Sequence, residues 1–138
     1  MIVDIHAHYF AKEYIDLLMS IGGRSVPEAA RALTAGQLRR DDTSGIATRL
    51  QQMDEAEVQM QVLSPAASPP YAEKEADAVA AARLINDTYA ELAQKYPGRF
   101  NAVVSLPLPH IDASLREMER GLDPVSYTHL TLPTTERV

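Results

Sequence analysis

Apolar and polar positions alternate along this chain in a way that predicts three strands separated by helices. Short apolar runs of strand length occupy Ile2–Ala7, Val58–Leu63 and Phe100–Leu106. Between them, apolar residues recur at spacings of three and four, which is typical of amphipathic helices. The predicted helices cover Ala11–Ile21, Gly45–Ala56, Ala72–Lys95 and Ala113–Leu122, with a shorter one over Pro27–Leu33.

The sequence also predicts the buried faces of these helices, their capping residues and a loop between them. Ile46, Leu50 and Met53 mark the inner face of the second long helix. Asp42, Thr43 and Ser44 are candidate caps before that helix, and Asp112 before the last one. Prolines between Ser64 and Pro70 predict a loop, because proline cannot occupy a helix interior or a central strand.

Strands that alternate with helices are expected to pair in parallel, since each crossover has the length a parallel connection needs. The fold class is therefore α/β, and both a barrel and a doubly wound sheet remain open on pattern alone. Tyr9-Phe10-Ala11 follows the first strand, where a nucleotide-binding sheet would carry a glycine-rich phosphate loop. This disfavours nucleotide binding.

His6 and His8 are the strongest candidates for chemistry. Side chains alternate along a strand, so Asp4, His6 and His8 share one face, with the two imidazoles about 6–7 Å apart. Such a pair can bind one metal ion from the same side. The alternative is an exposed or hydrogen-bonded pair in an edge strand. The neighbouring apolar residues predict a buried strand, which favours the metal site.

Composition excludes several classes of protein. The hydrophobic fraction of 46% is that of an ordinary soluble globular domain, and the net charge of −6 argues against nucleic acid as the main partner. The chain has no cysteine, so it has neither disulfides nor a thiolate metal site. No long apolar run predicts a membrane span, and we expect a cytoplasmic protein.

The final segment, residues 124–138, has a different character. Its sequence, PVSYTHLTLPTTERV, resembles one reading frame through a transposase-based sequencing adapter. We therefore expect two parts: residues 1–123, and a non-native tail, residues 124–138, that takes no part in the fold. His129 lies in this tail and is not recruited as a ligand.

An ordered set of short segments resembles the amidohydrolase superfamily, in its branch of aminocarboxymuconate-semialdehyde decarboxylase and the resorcylate-type decarboxylases. The segments are Val3–His8, Met53–Val58, Val62–Ser64, Ile85–Asp87, Tyr96–Phe100, Leu106–Pro107 and Leu115–Arg120. The resemblance implies that residues 1–123 are the first three βα units of a distorted (β/α)₈ TIM barrel.

The resemblance also implies a divalent metal, commonly zinc and in some members manganese, with His6 and His8 among its ligands. The remaining ligands and the catalytic histidine would lie beyond residue 123, so neither His110 nor His129 takes those roles. The branch places a substrate-binding arginine before the second strand, where Arg39 and Arg40 stand without a firm match. Homodimers are common in this branch.

The expected activity is that of a metal-dependent carboxy-lyase acting on a small carboxylated aromatic or unsaturated acid. The alternatives are a metal-dependent hydrolase of the same superfamily, a phosphoesterase or deoxyribonuclease with the same histidine pair, and a non-catalytic α/β fragment that binds no metal. The acidic charge disfavours the phosphate enzymes. We expect the truncated chain alone to be poorly stable, weak in metal binding and inactive.

Other polar residues have plainer expected roles. Asp4 either hydrogen-bonds beside the site or fills the interior, and we favour the interior. Ser64 either contacts substrate or forms a turn, and His110 is expected in a solvated loop. Asn86 and Asp87 are assigned packing or surface roles and Tyr89 the core. Glu117, Glu119 and Arg120 are expected to form a solvated helix face.

Overall fold

The computed structural model describes residues 1–21, 45–66 and 68–122. Within these ranges the chain forms three strands and four helices in the order strand, two helices, then strand and helix twice. The elements are β1 (Ile2–Ala7), α1 (Lys12–Ser20), α2 (Gly45–Glu55), β2 (Val58–Leu63), α3 (Glu75–Lys95), β3 (Phe100–Ala102) and α4 (Ile111–Leu122).

The three strands form one parallel sheet in the order β1-β2-β3, as the alternation of strands and helices predicts. Asp4 pairs with Gln61 and Ala7 with Leu63, and the register between β1 and β2 is irregular from Asp4 to Ala7. Because the strands are parallel, their carboxyl ends meet at one edge of the sheet. His8, Ser64 and Val103 follow the three strands at this edge.

The core lies between the sheet and the helices, where α2 contacts β2 and α3 contacts β3. Tyr14 and Tyr89 are completely buried, and each satisfies its hydroxyl by donating to a main-chain carbonyl: Tyr14 to Ser68 at 2.6 Å and Tyr89 to Tyr9 at 2.8 Å. Burial raises the pKa of Tyr14, so its phenol stays protonated. These contacts fasten α1 and α3 to the loops at the carboxyl edge of the sheet.

Three predicted boundaries are wrong. β3 ends at Ala102 rather than Leu106, because β2 ends at Leu63 and the amide of Ser105 donates to the side chain of Asn86 instead of a strand. The third long helix begins at Glu75 rather than Ala72. Glu75 and Asp77 lie in its first turn, where their negative charges interact favourably with the helix dipole. Asp112 does not cap α4, since the helix already includes it.

The expectation of a buried first strand is also wrong for this chain. Ile5 is 80% exposed and Ile2 51% exposed, although Ala7 is buried. β1 is an outer strand of the sheet and pairs only with β2 in the described part of the chain, so apolar side chains on both of its faces are incompletely covered. The short helix Pro27–Leu33, the proposed caps Asp42, Thr43 and Ser44, and the residues Arg39, Arg40 and His129 fall outside the described ranges.

Candidate metal centre

The two strand-one histidines converge at the carboxyl edge of the sheet. Nε2 of His6 and Nε2 of His8 lie 3.3 Å apart, and the ring centroids are separated by 4.8 Å with the planes inclined at 75°. The rings are therefore closer than the strand spacing of about 6–7 Å that alternation predicts. They tilt towards each other, and His8 stands one residue past the end of β1.

This separation matches the demands of a single metal ion. Two nitrogens bound to one tetrahedral zinc, each about 2.0–2.1 Å from it, lie about 3.3–3.4 Å from each other. The ring nitrogens of His6 and His8 already have this spacing, which a hydrogen bond between the two rings also satisfies when no ion is bound. His6 is exposed and His8 half-buried, which leaves one side of the pair open to a ligand.

Ser64 fixes the orientation of the His8 ring. The Nδ1–H of His8 donates to the Ser64 carbonyl at 2.8 Å, which leaves Nε2 as the nitrogen with a free lone pair. Hydrogen bonding of the second ring nitrogen to a main-chain carbonyl is the usual support of a metal-binding histidine. Phe10 stacks near the same ring, with centroids 6.2 Å apart. Ser64 thus contributes its carbonyl at this point rather than its side chain.

Asp4 forms hydrogen bonds beside the pair. One carboxylate oxygen accepts from the main-chain amide of His6 at 3.0 Å, and the other accepts from the Gln61 side chain at 3.1 Å. Its role therefore corresponds to the hydrogen-bonding alternative rather than to simple filling of the interior. Among the described residues, no group of three histidine, cysteine, aspartate or glutamate side chains converges on one point. The two imidazoles are the donors that this part of the chain offers.

Arg49 is a neighbour of the site that the sequence pattern did not single out. It lies in α2, and its guanidinium donates to the His8 carbonyl at 2.9 Å and to the Gln61 side chain at 3.1 Å. The guanidinium also stands over the Tyr9 ring at 5.9 Å. The helical spacing could have identified Arg49 as an inward-facing residue, because it lies three residues after Ile46 and four before Met53 on the buried face of α2.

Two predicted polar roles need correction. His110 is not simply solvated: its Nε2 forms a 3.0 Å hydrogen bond with the Ala72 carbonyl and joins the loop after β3 to the segment that precedes α3. Glu117 is not part of a solvated face, since it is only 3% exposed and accepts hydrogen bonds from Asn86 and Arg120. Asn86 is buried as well, which agrees with its expected packing role, and Tyr89 belongs to the core as predicted.

A cleft opens at the same edge of the sheet, between the loops that follow β2 and β3. Its volume is about 310 Å³, at the lower end of the range for small-molecule sites. Proline, valine and leucine dominate its lining, which consists of Ser64, Pro65, Ala66, Pro69, Pro70, Tyr71, Val103, Val104, Ser105, Leu106 and Leu108. Ser64 connects the cleft to His8 through its carbonyl, and neither His6 nor His8 lines the cleft.

None of the helices in the described ranges is both long and apolar enough to cross a membrane.

Comparisons with known proteins identify the family. A family model described as Amidohydrolase matches residues 3–124. No curated protein matches the sequence significantly.

Several solved structures have the same fold. A 2,6-dihydroxybenzoate decarboxylase in complex with 2,6-dihydroxybenzoate is 29% identical, with a TM-score of 0.67, over 91% of this chain and 36% of that one. A dihydroxybenzoic acid decarboxylase from Polaromonas sp. JS666, with bound manganese and 2-nitroresorcinol, is 26% identical with the same TM-score and coverage. A 4-oxalomesaconate hydratase from Rhodopseudomonas palustris, at 21% identity and TM-score 0.63, supports the fold alone.

This chain spans between 35% and 40% of the length of these and other matched structures. Its three parallel strands correspond to about a third of a TIM-barrel amidohydrolase, as the predicted fold class requires. The decarboxylases among the similar structures agree with the branch that the sequence motifs resemble. The chain belongs to the amidohydrolase family.

Proposed function

We propose that this chain is the N-terminal part of a metal-dependent carboxy-lyase that acts on a small carboxylated aromatic or unsaturated acid. The observation that carries the proposal is the 3.3 Å approach of the two Nε2 atoms, with the second nitrogen of His8 held by Ser64. In the non-catalytic alternative, the same 3.3 Å approach is a hydrogen bond between the two rings of an exposed pair. Metal analysis separates the two alternatives.

His6 and His8 would hold one divalent metal ion. Imidazole nitrogen suits zinc and several transition metals, and the similar enzyme from Polaromonas sp. contains manganese, so we keep zinc as the first candidate and manganese as the second. A bound ion would supply positive charge for substrate oxygens and would lower the pKa of coordinated water. The contribution of this chain is to present both nitrogens on one side and to fix the tautomer of His8.

The cleft beside Ser64 supports the proposed substrate class. Its apolar lining can receive the flat hydrocarbon part of a small acid, and Ser64 links this lining to His8, so a metal ion at the histidine pair would engage the polar part. Two of the similar enzymes are named as dihydroxybenzoate decarboxylases, which makes hydroxybenzoates the first compounds to test.

We further propose that this chain is a piece of a longer protein, which we call the intact enzyme, and that residues 124–138 are foreign to it. The family match ends at residue 124, and the described ranges supply three strands, whereas a TIM barrel has eight. The remaining metal ligands and the catalytic acid or base would come from the later strands of the intact enzyme.

Metal analysis of the intact enzyme tests the proposed site. We expect about one zinc or manganese ion per chain in the wild type, and a loss of most of it in His6→Ala, because one ligand is removed. His110→Ala is the matched control, since His110 bonds to Ala72 away from the pair and should keep the metal. Full metal content in His6→Ala would contradict the assignment of His6.

Product analysis tests the reaction. Incubation with dihydroxybenzoates should release carbon dioxide and the decarboxylated phenol, and removal of metal by a chelator should abolish the release if the ion supplies the chemistry proposed. Hydrolysis of ester or amide substrates without release of carbon dioxide from any carboxylated compound would favour the hydrolase alternative instead.

A further inference from the structure

The guanidinium of Arg49 binds the main chain of one proposed metal ligand directly. Helices run antiparallel to the strands in a βα unit, so the first turns of α2 lie near the carboxyl edge of the sheet. From there the guanidinium of Arg49 donates to the carbonyl of His8 at 2.9 Å. His8 follows the last residue of β1, where regular pairing has ended.

The same guanidinium is linked to His6 through two further side chains. Arg49 donates to Gln61 Oε1 at 3.1 Å, and the amide nitrogen of Gln61 donates to Asp4 at 3.1 Å. Asp4 in turn accepts from the main-chain amide of His6 at 3.0 Å. These contacts form a chain of hydrogen bonds from His8 through Arg49, Gln61 and Asp4 to His6, which we call the Arg49 bridge.

The Arg49 bridge spans the irregular part of β1. The register of β1 against β2 shifts between Asp4 and Ala7, so strand pairing alone holds this stretch less firmly than a regular ladder would. The contacts of Arg49 and Gln61 are part-buried, where a hydrogen bond is electrostatically stronger than in open water. A guanidinium suits this task because its planar donors can serve two acceptors in fixed directions.

We propose that Arg49 is a positioning residue for the metal site: it fixes the main chain at His8 directly and at His6 through Gln61 and Asp4. The 3.3 Å spacing of the two imidazole nitrogens depends on the main chain at both ends of this three-residue stretch. The inference rests on the proposed function, because it concerns the ligands of the proposed metal. The two terminal nitrogens of Arg49 already donate hydrogen bonds to His8 and Gln61, so Arg49 is not assigned to substrate binding.

Metal affinity of the intact enzyme tests this role. We expect Arg49→Met to weaken zinc binding about 10- to 100-fold in competition with a chromophoric chelator, the usual range for loss of an outer partner of a metal ligand. Arg49→Lys should recover part of the affinity, because one ammonium can donate to the His8 carbonyl but cannot reproduce the planar fork. Gln61→Met breaks the Arg49 bridge without altering α2 and should give a smaller loss.

Arg116→Met is the control with the same change of charge. Arg116 lies on α4 with its side chain 64% exposed, paired with Glu75. Visible absorption of the cobalt-substituted proteins supplies a second measurement, since it reports the geometry around the ion and not the stability of the fold. We expect a changed spectrum for Arg49→Met and Gln61→Met, and an unchanged one for Arg116→Met.

The outcomes separate the positioning role from the proposed function. Wild-type enzyme without metal affinity would overturn both. Wild-type binding with equal affinity and spectrum in folded Arg49→Met and Gln61→Met would overturn the positioning role alone. A loss of affinity equal to that of Arg116→Met, with no change in the cobalt spectrum, would also count against it, because it would indicate a general effect of charge.

Discussion

At the scale of single residues, Glu117 departs most from what its sequence context suggests. Its side chain is 2% exposed and accepts two hydrogen bonds from Arg120, at 2.6 and 2.9 Å, and one from Asn86 at 2.8 Å. Burial opposes ionisation, but the hydrogen bonds from Arg120 and Asn86 outweigh it and hold the pKa of Glu117 below its ordinary value. The charged carboxylate therefore joins α4 to α3 through a buried polar contact.

We predict that Glu117→Gln destabilises the intact enzyme by about 1–2 kcal/mol at neutral pH, because charge-assisted hydrogen bonds from Arg120 become weaker neutral ones while Arg120 keeps its ion pair with Asp87. A lowered pKa in the folded state stabilises the protein above the ordinary value of 4.5 and ceases to do so as the pH falls through the folded pKa. The difference in the free energy of unfolding between wild type and Glu117→Gln should thus shrink below about pH 4.5. Urea unfolding at several pH values measures this difference.

Glu119→Gln is the matched control, since Glu119 is exposed on the same helix. It should change the free energy of unfolding little at any pH. If Glu117→Gln behaved in the same way, the buried contact would have no energetic role.

At the scale of elements, the packing of α4 depends on a glycine. A methyl group placed on Gly121 would lie 2.8 and 2.9 Å from the two Cγ atoms of Val104, in the segment that follows β3. These distances are shorter than ordinary contacts, and rotation of a β-branched valine about its Cα–Cβ bond is restricted, so the two methyl groups cannot readily turn away. Gly121 therefore allows α4 to approach this segment closely.

We predict that Gly121→Ala destabilises the intact enzyme by about 1 kcal/mol, because the overlap costs about 1–3 kcal/mol and exceeds the gain in helix propensity of about 1 kcal/mol. In a Val104→Ala background the overlap is removed, so the same substitution should stabilise by up to about 1 kcal/mol. A double-mutant cycle by urea unfolding detects this change of sign. Equal effects of Gly121→Ala in both backgrounds would show that Val104 does not limit how closely α4 approaches the segment after β3.

At the scale of the whole molecule, the sheet in the described ranges has two outer strands. Ile5 on β1 is 80% exposed and Val103 after β3 is 45% exposed. Open strand edges with exposed apolar side chains are sites of association and poor stability. In a closed barrel, further strands and helices would cover both sides.

We therefore predict that the 138-residue chain, expressed by itself, unfolds without a cooperative transition, binds zinc more weakly than the intact enzyme and releases no carbon dioxide from dihydroxybenzoates. Calorimetry, chelator competition and product analysis measure these three properties. A cooperative unfolding transition together with turnover would disprove the prediction.

The sequence by itself determined the α/β alternation, the parallel pairing and the histidine pair, because these depend on local periodicity and on motifs that span a few residues. Val58–Leu63 is predicted to the residue, since its alternating apolar and polar positions are followed by the proline-rich loop that begins at Ser64. The motifs also sufficed to predict the family, which the match over residues 3–124 confirms.

Only the tertiary structure decided which side chains meet across elements. Arg49 reaches His8 from 41 residues away along the chain, Asn86 reaches Glu117 across 31, and the exposure of Ile5 depends on which strands flank β1. Periodicity can assign a residue to a face of its own helix or strand, but it does not specify the partner that the face will contact. The convergence of His6 and His8 likewise depends on the irregular register of β1 against β2 and on the carbonyl of Ser64, which pairing with β2 brings alongside.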